Sequence, residues 1–141
     1  MDLHSLEGRT ALVTGAGQGV GRQTALTLAA HGATVLVNDF FEDRANGVVE
    51  EIAAAGGKAA AAVGDVTKFE EVERWLGEAI RGAGRLDIVV NNAGNAGPTG
   101  DPGTKARFWE TGPAEWAMWL GTNLYGVLNT CRVAVPVMIE G

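Results

Sequence analysis

The stretch Thr14-Gly15-Ala16-Gly17-Gln18-Gly19-Val20-Gly21 follows the apolar run Ala11-Leu12-Val13 and precedes a helix-forming segment. Glycines at 15, 19 and 21 let the chain leave a strand sharply, bring backbone N–H groups close to a ligand and let the next helix pack tightly on a sheet. The opening turn of that helix offers unpaired N–H donors and roughly half a positive charge to an anion such as a pyrophosphate. Taken alone the pattern is weak, because glycine fills 21 of the 141 positions and marks turns elsewhere. Its context makes it informative: it joins a strand to a helix, and an acidic residue, Asp39, closes the next strand-like run.

Outward from that turn, strand-like and helix-like segments alternate four times, the pattern of a parallel sheet covered by helices. Strands are expected at Thr10 to Thr14, Thr34 to Asn38, Ala59 to Val63 and Leu86 to Asn91. The runs Leu86-Asp87-Ile88-Val89-Val90 and Thr34-Val35-Leu36-Val37 are nearly unbroken and β-branched, as befits strands buried on both faces. Val20, Ala25, Leu28 and Ala29 form one helical stripe ending at Gly32, and Ala45, Val48, Val49, Ile52 and Ala53 form a second that stops at Gly56-Gly57. Thr67-Lys68-Phe69-Glu70 reads as a capping box opening a third helix, with Phe69, Val72, Leu76, Ala79 and Ile80 as its apolar face. A fourth helix starts with Gly112 as cap, Pro113 at the first position and Glu115 in the first turn; Leu120, Leu124, Val127, Leu128, Cys131 and Val135 then recur at helical spacing. The expected fold is therefore a single α/β domain over residues 1–141, a Rossmann-type doubly wound parallel sheet of four strands in the order 3-2-1-4 with helices on both faces. The long irregular stretch Gly94 to Thr111 follows the carboxyl end of the fourth strand, where ligands bind in such sheets.

Composition narrows the function classes. A chain of 141 residues, 46% hydrophobic and 20% charged, suits one soluble globular domain. The net charge of -6, with no run among eleven basic residues, opposes a nucleic-acid surface. One cysteine, Cys131, excludes an intramolecular disulfide and a multi-cysteine metal site, and His4 and His31 lie far apart in sequence, so no metal is expected. Met1 to Arg9 lacks the apolar core of a signal peptide, and no apolar run approaches a membrane span. The expected setting is the cytoplasm, without a membrane partner.

Four motifs fall at the ends of the expected elements: Thr14-Gly15-x-x-x-Gly19-x-Gly21, Asp65-Val66 after the third strand, Asn91-Asn92-Ala93-Gly94 after the fourth, and Asn123 in the fourth helix. In this order and spacing, from about Arg9 to the C-terminus, the chain resembles the short-chain dehydrogenase/reductase family. The resemblance implies that Gly15, Gly17, Gln18, Gly19, Val20 and Gly21 pass over the pyrophosphate of a nicotinamide dinucleotide. It implies that Asp65 accepts a hydrogen bond from the adenine amino group while the Val66 backbone lines the adenine slot. Asn91, Asn92, Ala93 and Gly94 would pass under the ribose and nicotinamide side, and Asn123 would bend its helix and hold a water in the proton relay. A plainer reading stands beside each: Asp65 as a turn residue, Asn91 and Asn92 as turn hydrogen bonders, Asn123 as a solvent-facing polar residue.

Charge argues for NAD over NADP. Asp39 sits where a carboxylate accepts hydrogen bonds from both adenosine ribose hydroxyls and repels a ribose phosphate, while Gln18 brings no cation and no basic residue follows Asp39 before Arg44. The expected substrate is a small alcohol or ketone.

The family's chemistry uses a Tyr, a Lys four residues later and a Ser. The only Ser is Ser5, the only Tyr is Tyr125 with Asn129 four residues on, and Lys58, Lys68 and Lys105 all precede it. The chain therefore reads as the truncated cofactor-binding portion of such an enzyme, inactive by itself. On that reading Trp109, Trp116, Trp119 and the apolar stripe of the fourth helix are left partly exposed, and that helix is expected to mediate a homo-oligomer. The alternatives are a non-catalytic NAD-binding or assembly module, and another Rossmann enzyme such as a methyltransferase or a sugar-nucleotide epimerase.

Overall fold

Apolar runs without polar alternation become strands here because helices cover both faces of the sheet. The structure is a computed structural model and describes residues 4–95 and 106–141. In chain order it runs β1 (Thr10–Val13), α1 (Gly19–Ala30), β2 (Thr34–Asp39), α2 (Glu42–Ala54), β3 (Lys58–Val63), α3 (Phe69–Ala83), β4 (Ile88–Val90), a 3-10 turn (Phe108–Glu110), α4 (Pro113–Leu120), a π-helical segment (Gly121–Tyr125) and α5 (Gly126–Glu140). The expected fold class is found: the strands are parallel, in the order β3-β2-β1-β4. Val13 pairs with Val37 and Val90, and Asp39 with Val63, so all the carboxyl ends open at one end of the sheet.

Neighbouring residues on a strand point to opposite faces. Ala11, Val13, Val35 and Val37 pack with Ala25 and Ala29 of α1 and Ala45, Val48 and Ile52 of α2. Leu12 and Leu36 meet Val72, Trp75, Leu76 and Ile80 of α3 and Ala134 of α5. Trp75 was no part of the apolar face expected for the third helix, yet it is buried, and a Cβ on Gly64 would collide with its indole.

Three local expectations give way to side-chain chemistry. The fourth strand begins only at Ile88, because the Asp87 carboxylate turns back to accept the Thr10 N–H at 2.8 Å and Arg9 Nη1 at 2.9 Å, with Arg85 bonded to it as well. Arg85 foremost, then the Thr10 amide and Arg9, hold that carboxyl below the usual carboxylate range, against the opposing effect of burial. The same strand closes at Val90, onto whose carbonyl the Asn92 N–H folds back at 3.0 Å. The capping box at Thr67 does not form. Thr67 Oγ1 donates to Asp65 Oδ1 at 2.7 Å, and α3 starts one residue later with Lys68 at its cap.

The fourth helix opens as expected, with Pro113 at its first turn and Glu115 Oε2 accepting the Gly112 N–H at 3.0 Å. It is then interrupted by the π-helical segment and resumes as α5. Its packed face differs from the expected apolar stripe. Thr122, Gly126, Thr130 and Ala134, four residues apart, are buried, whereas Leu120, Leu124, Leu128 and Val135 are exposed. Within the expected long stretch Gly94 to Thr111, residues 96–105 lie outside the described residues. No helix among the described residues is long and apolar enough to cross a membrane.

Candidate functional site

The carboxyl ends of the strands frame a cavity of about 480 Å³. Among the described residues, all those singled out from the sequence as candidate site residues line it except Gly17 and Asn91. The glycine turn supplies its positive end. Gly19 takes φ +57°, in the left-handed region, and a Cβ on Gly21 would run into Asn92 Nδ2 and the Gly15 carbonyl. Gln18, the cap residue of α1, makes no side-chain cap bond among the described residues, and the first turn holds no acidic residue. The helix N-terminus is thereby left to an external anion.

Three polar side chains knit the floor. Asn38, fully buried at the end of β2, donates through Nδ2 to the Ala62 carbonyl at 2.8 Å and the Gly64 carbonyl at 3.2 Å, and accepts the Gly15 N–H at 3.3 Å. Thr14 Oγ1 accepts the N–H groups of Asn92 and Ala93 at 3.0 and 3.1 Å, while Asn92 Nδ2 donates to the carbonyls of Thr14 and Gly15, each at 3.0 Å. Asn91 points elsewhere, its amide 3.5 Å from Cys131 Sγ on α5. Asn92 therefore ties β4 to the glycine turn, and Asn91 ties it to α5.

At the rim, Asp39 is 6% exposed, and each of its oxygens accepts one backbone N–H, Gly17 to Oδ2 and Phe41 to Oδ1, both at 3.0 Å. A carboxylate has about four acceptor positions. Two bonds to the backbone leave it able to accept ribose hydroxyls. Gly17 lies off the cavity because its N–H and Cα cover this carboxylate. Asp65 Oδ1 accepts Thr67 N and Oγ1, so the turn reading of Asp65 is realised, while the residue still lines the cavity beside Val66.

Asn123 occupies the middle of the π-helical segment. Such segments widen a helix by one residue and are frequent at functional sites. Its Oδ1 accepts the Asn95 N–H at 3.1 Å, and its Nδ2 donates to the carbonyls of Asn95 and Trp119, each at 2.8 Å. Asn123 is exposed yet bonded on both sides of its amide. The grip fixes Asn95 at φ +62°, a conformation that non-glycine residues seldom adopt. Ser5 and Tyr125, by contrast, do not line the cavity among the described residues.

Sequence reasoning missed Asn38, Thr14, Phe40, Phe41 and Arg44 as site residues. Asn38 carried a signal, since a polar residue ending a buried apolar run needs a partner. Arg44 carried none, because only the first turn of α2 brings it back to the cavity.

The comparisons with known proteins agree with this geometry. The family model described as short chain dehydrogenase matches residues 9–141. The chain is 46% identical over 93 residues to 7alpha-hydroxysteroid dehydrogenase of Escherichia coli strain K12, a match covering 66% of this chain and 36% of that protein. Among solved structures, a 7alpha-hydroxysteroid dehydrogenase complexed with NADH and 7-oxo glycochenodeoxycholic acid superposes with a TM-score of 0.85 at 35% identity, over 96% of this chain and 50% of that one. A gluconate 5-dehydrogenase from Burkholderia cenocepacia J2315, in complex with NADP and tartrate, gives a TM-score of 0.86 at 33% identity, over 97% of this chain and 51% of that one. The chain thus spans about half the length of these solved relatives.

Proposed function

The chain belongs to the short chain dehydrogenase family, and from that premise we propose that it is the dinucleotide-holding portion of an NAD-dependent oxidoreductase acting on a secondary alcohol or ketone. The observation that carries this reading is the uncapped N-terminus of α1 opening into the same cavity that Asp39 borders. When bound, the nicotinamide supplies or accepts a hydride. The chain's own residues do the holding. Backbone N–H groups of Gly19 to Gly21 take the pyrophosphate, Asp39 accepts the adenosine ribose hydroxyls, Asp65 and Val66 border the adenine, and Asn92 to Gly94 form the floor under the nicotinamide ribose. Asn91 acts at one remove, by fixing β4 against α5. Asn123, with its side chain committed to Asn95, positions the chain after β4 and leaves backbone groups to hold a relay water.

NAD is the favoured cofactor. A ribose phosphate against Asp39 meets like charge in a half-buried site, which costs on the order of several kcal/mol. Isothermal titration of the chain with NADH, compared with Asp39→Ala, is the test. The expected result is saturable binding weakened at least tenfold in the variant; no binding to the unaltered chain, or equal affinities, would overturn the reading.

A second reading has its own support. Tyr125 lies off the cavity and Asn129, four residues later, gives its amide to the Val66 carbonyl at 2.9 Å. Asn129 also stands where a Tyr-x-x-x-Lys pair would need its lysine, which supports the reading that hydride transfer by the chain alone is negligible. On these grounds the chain by itself acts as a non-catalytic NAD-binding or assembly module. In either case we place it in the cytoplasm as one domain, assembling through the exposed apolar face of α4 and α5.

A further inference from the structure

The helix α5 reaches the Asp65 end of the cavity from behind. Val66 lines the cavity and is buried, and two residues of α5 hold it. Asn129 Nδ2 donates to the Val66 carbonyl at 2.9 Å. Gly126 lies against the Val66 side chain, where a Cβ would stand 2.8 Å from Val66 Cγ2. Asn129 itself is half-buried and is not one of the described residues that line the cavity. Its bond fixes one end of a peptide unit whose other end serves the site. The carbonyl of the Val66–Thr67 peptide goes to Asn129, and the N–H of the same peptide goes to Asp65 Oδ1 at 2.9 Å. A trans peptide is planar, so its C=O and N–H point in opposite directions and turn together. Thr67 Oγ1 adds a second bond to the same carboxylate oxygen at 2.7 Å. Oδ1 is thereby occupied, and Oδ2 accepts no hydrogen bond among the described residues.

We propose that Asn129 is a positioning residue for the base of the dinucleotide: from outside the cavity it holds the Val66–Thr67 peptide, and through that peptide the Asp65 carboxylate, in the orientation that takes an exocyclic amino group. The inference rests on the dinucleotide reading of this cavity and adds to it a residue that touches no ligand. Without the Asn129 amide the part-buried Val66 carbonyl loses its partner. The peptide then turns toward water and carries the Thr67 N–H off Oδ1. The Asp65 carboxylate is left free to rotate, and selectivity for an amino group is lost with it. The glycine turn is bonded to Asn38 and Asn92, and among the described residues not to α5, so its hold on a pyrophosphate stays.

The test is calorimetric titration of the full chain with NADH and with reduced nicotinamide hypoxanthine dinucleotide, in which a ring carbonyl replaces the adenine amino group. The two ligands differ only at that edge of the base, so their affinity ratio reads the Asp65 end and is not moved by a general loss of stability. The unaltered chain should take NADH about tenfold more tightly, because a carbonyl brings Asp65 no donor and sets one acceptor against another. Asn129→Leu, similar in volume and without the amide, should bring the two affinities within about threefold. Asn129→Asp has the same shape and, when ionised, no donor. It should do the same, and it decides the matter where the leucine variant does not fold. Asn129→Gln keeps the donor on a longer stem and should fall between. A ratio unchanged by the loss of the amide, whether both affinities fall alike or neither falls, overturns the role of Asn129 and leaves the dinucleotide site standing. An unaltered chain that takes both ligands equally does the same. Binding of neither ligand to the unaltered chain overturns both readings.

Discussion

Between Thr10 and Leu86 the large apolar side chains apart from Val20 and Phe40 turn inward, with Leu12, Leu36, Ile52 and Leu76 fully buried, whereas from Leu120 onward the small residues do so. In the helical arm Thr122, Gly126, Thr130 and Ala134 face the body of the molecule, and Leu120, Leu124, Leu128 and Ile139 face out. Close approach explains the difference. A Cβ on Gly126 would stand 2.8 Å from Val66 Cγ2, so the helix comes down onto the segment after β3 only through its smallest side chains. Apolar periodicity therefore marks a face that gains from being covered. It does not say which neighbour covers it.

The strongest attempt to break this contrast is Gly64→Val. The added side chain meets the Trp75 indole in the packed half, and overpacking there should destabilise the chain by about 3 kcal/mol. A drop of roughly 10 °C in the thermal midpoint is expected; an unmoved midpoint would mean that Trp75 does not fill that space.

Asp87→Asn sharpens the contrast more gently, at the end of the sheet away from the cavity. The native carboxyl titrates below its unfolded value, so its contribution is complete well above about pH 4 and fades as the pH falls below that toward the lowered native value. The variant should lose about 1 kcal/mol at neutral pH and show a shallower acid decline in urea melts. Parallel stability curves for the two chains from neutral to acid pH would remove Asp87 from the account.

The smallest change is expected from Leu128→Glu on the outward face of α5. Monomer stability should move by no more than about 0.5 kcal/mol, while the self-association proposed for this face should be absent by light scattering. A loss of several kcal/mol would show that this face is buried within the single chain after all.

The sheet was legible because burial on both faces writes continuous apolar runs, as in Thr34 to Val37, and the switch from β1 to α1 was legible because its glycines serve backbone geometry. What was not legible depended on which partner a polar group chose. Asp87 and Asn92 shortened β4 by bonding across to Thr10, Thr14 and Gly15, and Thr67 gave its hydroxyl to Asp65 instead of capping a helix. Trp75 was not read as core, and Arg44 was read only as the first basic residue after Asp39, for a related reason. One fills the space left by Gly64, the other the space over Gly17, and spacing along the chain records neither vacancy. Asn123 was placed correctly in its helix, but its partner proved to be the Asn95 backbone and its setting exposed.

The Thr14 hydroxyl has a consequence for timing. By receiving two amides from the chain that follows β4, it orders the glycine turn and the opposite wall in the same event as the closing of the sheet. The conformational entropy of that cradle is lost when the chain folds and not when a ligand arrives. A ligand entering between the glycine turn and the chain after β4 meets these two walls already set.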